Sequence, residues 1–264
     1  MTLPRLVATD LDGTLVRSDG TVSPYTHEVI AALDDGGVPV VFVTGRPLRW
    51  AAEVFEYVGA HGLAVVSNGA LVWDVARDRM HLTRPIPVRV GLEVCALIRE
   101  AVPGSAFAVE TVEGIALEPE FLERHPIPDG ARRGPIDELF VKPAIKLLAR
   151  HEELDPQAFW DAAEAVTGTR VVVTWSSGSS LLEISADGVT KASTLALVCD
   201  GLGVEADQVV AFGDMPNDLP MLRWAGTSYA MGNAHPSVVE AADHVAPAND
   251  EDGVASVLAG LFDL

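Results

Sequence analysis

The sequence predicts an α/β protein whose core is interrupted by an inserted α+β segment, and three observations carry that reading. Short apolar runs alternate with helical patterns over about the first 80 residues. Prolines then crowd the middle of the chain and the rhythm changes, and from Thr190 the alternation returns. Strand, helix, strand in repetition marks a parallel sheet with crossover helices.

Arg5 to Thr9 reads as a buried strand. After a glycine-bearing loop, Ser23-Pro24 supplies an N-cap and a proline at the first helical position. Thr26, Val29, Ile30 and Leu33 recur at helical spacing until Gly36-Gly37 stops the helix. Val38 to Val43 is the next strand, Pro47 to Val58 the next helix, and Leu63 to Ser67 a third strand. Leu71 to Val75 and Arg79 to Thr83 form a hairpin around Ala76-Arg77-Asp78. Between about Thr83 and Asp187, Phe107 to Glu110 and Ile115 to Glu118 suggest a second hairpin. Asp155-Pro156 caps a helix carrying Phe159, Ala163 and Val166, and Arg170 to Trp175 and Leu181 to Ile184 are strands. Beyond Thr190 come a helix to about Cys199, the strand Gln208 to Phe212, a helix after Pro216 and the strand Thr227 to Met231. Asp243 to Val245 and a helix over Gly253 to Leu261 finish the pattern, which leaves the sheet order open.

A chain of 264 residues is long enough for a sizeable core. Its 48% apolar and 21% charged content is that of a globular protein. The apolar run Val38 to Val43 is far short of the roughly 18 residues of a membrane span, and no apolar leader follows Met1, so a cytoplasmic protein is expected. Acidic residues outnumber basic ones, 38 to 18, for a net charge of −20. Such a surface repels nucleic acid and anionic lipid. It leaves room for one small anionic ligand, because a metal ion and a few donors reverse the field inside a cleft. Cys95 and Cys199 have no metal-site spacing and read as reduced, half-buried thiols.

Four polar clusters follow strands or open a helix. Asp10-Leu11-Asp12-Gly13-Thr14-Leu15 stands at the carboxyl end of the first strand, where open α/β sheets place ligands. The spacing lets one carboxylate attack while the other handles a proton, and alone it is also an Asp-rich turn. Thr44-Gly45-Arg46 ends the second strand; its hydroxyl and amides could hold a phosphoryl oxygen, but taken alone it reads better as an ST-type turn with a helix cap. Lys191, one of three lysines beside 15 arginines, opens a helix. A lysine there opposes the macrodipole, which mildly disfavours a structural placement and favours a cation aimed at a phosphoryl group, although most lysines are solvated surface residues. Gly213-Asp214-Met215-Pro216-Asn217-Asp218 follows a strand and gathers oxygen ligands that suit Mg²⁺, while also capping a helix.

The ordered set of these clusters resembles the haloacid dehalogenase (HAD) superfamily, specifically its Cof-type hydrolases with a class IIB cap. The resemblance spans essentially the whole chain. It includes Ser67-Asn68-Gly69-Ala70, Glu183-Ile184 before Gly188-Val189-Thr190-Lys191, Ala230-Met231-Gly232-Asn233-Ala234, and the late run from Ala242 to Val254. One departure is Ala192, where the family often has glycine, and Ala suits a helix better.

The resemblance implies a Rossmann-like core over residues 1–83 and 185–264 and a mobile α+β cap over 84–184. It implies that Asp10 is the nucleophile, forming an aspartyl phosphate, and that Asp12 is the general acid and base. Thr44 and Lys191 would hold the phosphoryl oxygens. Asp10, the Asp12 carbonyl and Asp214 would hold Mg²⁺, with Asn217 and Asp218 supporting them. Gly45, Arg46, Asn68 and Asn217 are expected beside the substrate. In the cap, Arg132, Arg133, Lys142 and Lys146 are candidates, each read more readily as a solvated basic side chain. The expected activity is Mg²⁺-dependent hydrolysis of a small phosphorylated metabolite, a sugar phosphate first. A phosphotransferase or phosphomutase is the alternative within the family, and a catalytically silent binding module the alternative outside catalysis.

Overall fold

The computed structural model describes residues 3–57, 62–124, 126–175 and 180–264. The first strand, β1 (Leu6–Thr9), is buried along its whole length. Helix α1 (Pro24–Asp35) starts where Ser23 accepts the Thr26 amide, with proline at its first turn, and buries Thr26, Val29, Ile30 and Leu33. Strand β2 (Val40–Val43) follows. The helix expected over Pro47 to Val58 is shorter: α2 (Leu48–Ala51) gives way to a 3₁₀ stretch over Ala52–Tyr57, and Val58 lies outside the described residues. Pro47 offers no side-chain cap, and Trp50, Val54, Phe55 and Tyr57 are poor helix formers. Strands β3 (Leu63–Val66), β4 (Leu71–Asp74) and β5 (Arg79–Thr83) complete the first stretch.

The inserted stretch runs through α3 (Val88–Ala101), β6 (Ala106–Thr111), β7 (Gly114–Leu117), β8 (Arg132–Arg133), α4 (Ile136–Leu139), β9 (Lys146–Arg150), α5 (Pro156–Thr167), β10 (Val171–Thr174) and β11 (Leu181–Ala186). Its six strands lie in the order β10-β11-β9-β6-β7-β8. Phe107, Val109, Leu147, Ala149, Leu182 and Ile184 pack with Val94, Cys95 and Ile98 of α3 and Phe159 and Ala163 of α5 into one core. Alternation along each strand puts Glu110, Lys146, Leu148, Arg150 and Glu183 on the opposite face.

The chain then returns to the first sheet through α6 (Lys191–Leu202), β12 (Val209–Gly213), α7 (Leu219–Trp224), β13 (Thr227–Ala230), α8 (Pro236–Ala241), β14 (His244–Val245) and α9 (Gly253–Phe262). The core sheet has eight strands in the order β14-β13-β12-β1-β2-β3-β4-β5. It is parallel from β14 to β3, and β4 pairs antiparallel with β3. Leu195, Val198 and Cys199 of α6 and Met221 and Leu222 of α7 cover Leu6, Ala8, Val41, Val209 and Ala211. Contacts divide the chain into two compact units, Met1–Leu82 with Thr190–Leu264, and Thr83–Val189. Among the described residues no helix is long and apolar enough to cross a membrane.

Candidate active site

Strands β1 and β12 are neighbours in register, with Thr9 beside Phe212, so the loops leaving their carboxyl ends share one corner of the core. Asp10 leaves β1 there, and its amide donates to the Phe212 carbonyl at 3.1 Å. Asp214 and Asp218 leave β12, and Lys191 opens α6 behind a reciprocal cap between Thr190 and Ser193. Lys191 Nζ donates to Asp10 Oδ1 and to Asp218 Oδ1, each at 2.6 Å. All four side chains are buried.

Their electrostatics follow from that crowding. Burial raises the Asp10 carboxyl well above the usual range; Lys191 opposes the rise, and repulsion from Asp218 and Asp214 adds to it. Burial and Asp218 likewise push Asp214 up to about 7, against the Thr14 hydrogen bond and Lys191. Burial works against the Lys191 charge, but Asp10 and Asp218 outweigh it and hold the ammonium above its ordinary value. Three buried carboxylates thus share one buried cation.

Carboxylate oxygens of Asp10, Asp214 and Asp218 lie within 4.8 Å of one another, the one such group among the described residues. Their hydrogen bonds separate their roles. Asp218 Oδ1 accepts from Lys191, and its Oδ2 accepts the Asp214 and Met215 amides, both at 3.0 Å. Asp10 and Asp214 each keep an oxygen with no hydrogen bond from a described group: Lys191 occupies one oxygen of Asp10, and Thr14 Oγ1 donates to Asp214 Oδ1 at 3.0 Å. An all-oxygen donor set with excess negative charge and two open oxygens fits a small hard cation. Gly13 keeps that space open, because at its φ of +73° a Cβ would stand 2.3 Å from Asp214 Oδ2.

A second group lines the adjacent strand ends. Thr44 ends β2, and its hydroxyl accepts the Arg46 amide at 3.0 Å. The Asn68 amide donates to the Thr44 carbonyl at 3.0 Å, and the Ser67 amide to the Arg46 carbonyl at 2.9 Å. Gly45 sits in the turn between Thr44 and Arg46. Ser67 and Asn68 both take positive φ, 52° and 55°, so a short left-handed run turns Asn68 inward. Asn217 Nδ2 donates to Asn68 Oδ1 at 3.2 Å. Asp12, by contrast, is exposed and held by Arg46. Thr44 and the Asp10 cluster share no hydrogen bond among the described residues.

The sequence reading passed over Thr14, although it stands inside the first motif, and Ser67, whose buried hydroxyl has no partner among the described groups. Of the cap candidates, Arg132, Arg133 and Lys142 are exposed. Lys146 departs from the expected solvated face: it is 3% exposed and donates to Glu183 Oε2 at 3.0 Å. No local spacing signals that burial, since it comes from strands on both sides of β9.

The fold is that of an α/β protein with its polar cluster at the strand carboxyl ends, and comparison with known proteins gives the family. The model of the haloacid dehalogenase-like hydrolases matches residues 7–258, so the chain belongs to that family and is an enzyme of the hydrolase class. It is 30% identical over 277 aligned residues to the 5-amino-6-(5-phospho-D-ribitylamino)uracil phosphatase YitU of Bacillus subtilis (strain 168), covering 100% of this chain and 99% of that protein. Its fold matches SMU.1108c of Streptococcus mutans UA159 with a TM-score of 0.87 at 24% identity, over 99% of this chain and 100% of that one. It also matches the HAD subclass IIB sugar phosphatase BT4131, with a TM-score of 0.81 at 21% identity, over 98% and 100%. The fold is thus a Rossmann-like HAD core with a cap of the subclass IIB type.

Proposed function

We propose that this hydrolase is a Mg²⁺-dependent phosphomonoesterase that cleaves a small phosphorylated metabolite through an aspartyl phosphate. The observation that carries the reading is the buried contact of Asp10 with Lys191, beside Asp214 and Asp218, at the carboxyl ends of β1 and β12. Asp10 has one oxygen fixed by Lys191 and one open, the arrangement of an aimed nucleophile. Asp10, Asp214 and the Asp12 carbonyl would hold Mg²⁺, which supplies positive charge to the phosphoryl oxygens when bound. Asp218, with both oxygens occupied, keeps Lys191 and the Asp214 loop in place.

The chemistry runs in two halves. Asp10 attacks phosphorus, the bond to the leaving oxygen breaks, and Asp12 gives that oxygen a proton. Water then attacks phosphorus, Asp12 takes its proton, and the bond to Asp10 breaks to free inorganic phosphate. Lys191 and Thr44 balance the charge on the phosphoryl oxygens. Gly45, Arg46, Asn68 and Asn217 border the ester. Sugar phosphates and related polyol phosphates are the first substrate class to screen, in keeping with the ribityl phosphate that names the YitU relative. The free buried thiols of Cys95 and Cys199 agree with a cytoplasmic setting.

The test is phosphate release from an aryl phosphate and a panel of phosphorylated metabolites, with Mg²⁺ and with chelator. Wild-type turnover should require Mg²⁺, and Asp10→Asn should lose it by at least about 10⁴-fold. Turnover retained by Asp10→Asn would remove Asp10 as nucleophile, and silence of the wild type across the panel would sink the reading.

A further inference from the structure

Asp12 is the exposed carboxylate of the site, at 60% exposure, and it is the one gripped by a guanidinium fork. Arg46 Nε donates to Asp12 Oδ2 at 2.8 Å and Arg46 Nη2 to Asp12 Oδ1 at 2.6 Å. The Arg46 side chain is only 17% exposed, and its Nη1 donates to the Trp50 carbonyl at 3.4 Å. Its main chain is fixed at both ends, by Thr44 Oγ1 on its amide and by the Ser67 amide on its carbonyl. A rigid turn therefore presents the fork, and the fork sets the orientation of a carboxylate that would otherwise rotate in water. A carboxyl group accepting at both oxygens also has neither oxygen placed to carry a proton to a leaving group.

Resting on the phosphomonoesterase reading, we propose that Arg46 is a positioning residue for Asp12. It holds Asp12 in one orientation before substrate arrives, then exchanges one of its two bonds onto an oxygen of the incoming ester and frees one Asp12 oxygen. An ion pair with one exposed partner is weak enough to be exchanged in this way. The freed oxygen takes a proton from solvent and passes it to the leaving oxygen as the ester P–O bond breaks and the Asp10–P bond forms. The attacking water later gives a proton to Asp12 as the Asp10–P bond breaks; Asp12 releases that proton to solvent, and the fork re-forms on the carboxylate. Arg46 thus serves the proton transfers through Asp12 as well as binding the ester. Lysine could supply the charge but not the fork.

The test compares kcat/KM on an aryl phosphate, whose leaving group departs without a proton, with kcat/KM on alkyl phosphates, whose leaving group needs one. Asp12→Asn should lose far more on the alkyl ester. Arg46→Gln should share that pattern, losing less than about tenfold on the aryl ester and about 10²-fold or more on the alkyl one. Arg46→Lys should keep KM near wild type while retaining the alkyl-selective loss in kcat. The double variant Asp12→Asn with Arg46→Gln should be little worse than Asp12→Asn alone on the alkyl ester. Equal losses on both esters, carried by KM, would overturn the proposal and leave Arg46 as an anion-binding group. A wild type that hydrolyses neither ester would instead overturn the phosphomonoesterase reading beneath it. Thermal unfolding of each variant separates these outcomes from misfolding, and Arg46→Lys keeps the charge if Arg46→Gln does not fold.

Discussion

The chain has three lysines, and each is met by carboxylate in a different setting. In the core, Lys191 is 1% exposed and lies at the strand ends among Asp10, Asp218 and Asp214. In the cap, Lys146 is 3% exposed and lies inside the sheet, opposite Glu110 on β6 and bonded to Glu183 on β11. Lys142 is 59% exposed and bonded to Glu113 at 2.7 Å. The two buried lysines are similarly shielded from water, yet their surroundings differ in kind. Beside Lys191, Asp10 and Asp214 each keep an open oxygen and a raised carboxyl, so the cluster is short of positive charge. Around Lys146 the charged groups face one another across paired strands inside the cap sheet, opposite Glu110 and bonded to Glu183. Burial alone does not tell the two lysines apart; the raised carboxyls of Asp10 and Asp214 beside Lys191 do.

The sharpest test removes each buried cation. Lys191→Met and Lys146→Met should each destabilise the protein by about 3–5 kcal/mol, because each leaves buried carboxylate without its partner. Denaturant unfolding with and without Mg²⁺ then separates them. Mg²⁺ should recover much of the loss in Lys191→Met, where a divalent ion can replace the missing charge, and none in Lys146→Met. Equal recovery in both, or none in either, would break the distinction.

A smaller effect lies in the pH dependence of the core cluster. The Asp214 carboxyl rises from its ordinary 3.8 to about 7 on folding. Between those values the folded state holds a proton that the unfolded state has lost, so stability falls as pH rises. The contribution is complete below the unfolded value and lost as pH passes about 7. In metal-free protein, wild type should therefore lose more thermal stability than Asp214→Asn between pH 4 and pH 8, the span bracketing the shift. Mg²⁺ should raise the wild-type melting temperature more at the upper end, where the carboxylate is bare. Matching slopes in the two proteins would show that Asp214 is not the group responsible.

The core side of this contrast shows in the sequence and the cap side does not, for physical reasons. Asp10, Asp214 and Lys191 stand out because acid, acid and base at the ends of apolar runs are poor choices for packing, and caps such as Ser23-Pro24 are local signals. Sheet order was not legible, because it depends on pairing between distant segments. Strand β9 was missed for a related reason. Lys146-Leu-Leu-Ala-Arg150 is made of good helix formers, and it becomes a strand because β6 and β11 bury all five residues between them. Helix α3 hid behind Val88, Val90 and Gly91, poor residues for a first turn. Gly91 is there because Phe140 packs against it, leaving a Cβ only 2.0 Å of room. The Arg46–Asp12 fork joins residues from different loops and has no spacing to betray it.

The exposed pair sets the lower bound of the series. Lys142 and Glu113 are both more than half in water, where the Coulomb attraction is screened and ordering two flexible side chains opposes it. Lys142→Ala should change unfolding free energy by less than about 0.5 kcal/mol, and that change should shrink further in high salt. The bond length does not decide the outcome: at 2.7 Å this contact is shorter than the 3.0 Å of Lys146 to Glu183. A loss in Lys142→Ala comparable to that in Lys146→Met would mean that distance, rather than burial, ranks these lysines, and the contrast between core and cap would have to be rebuilt on that footing.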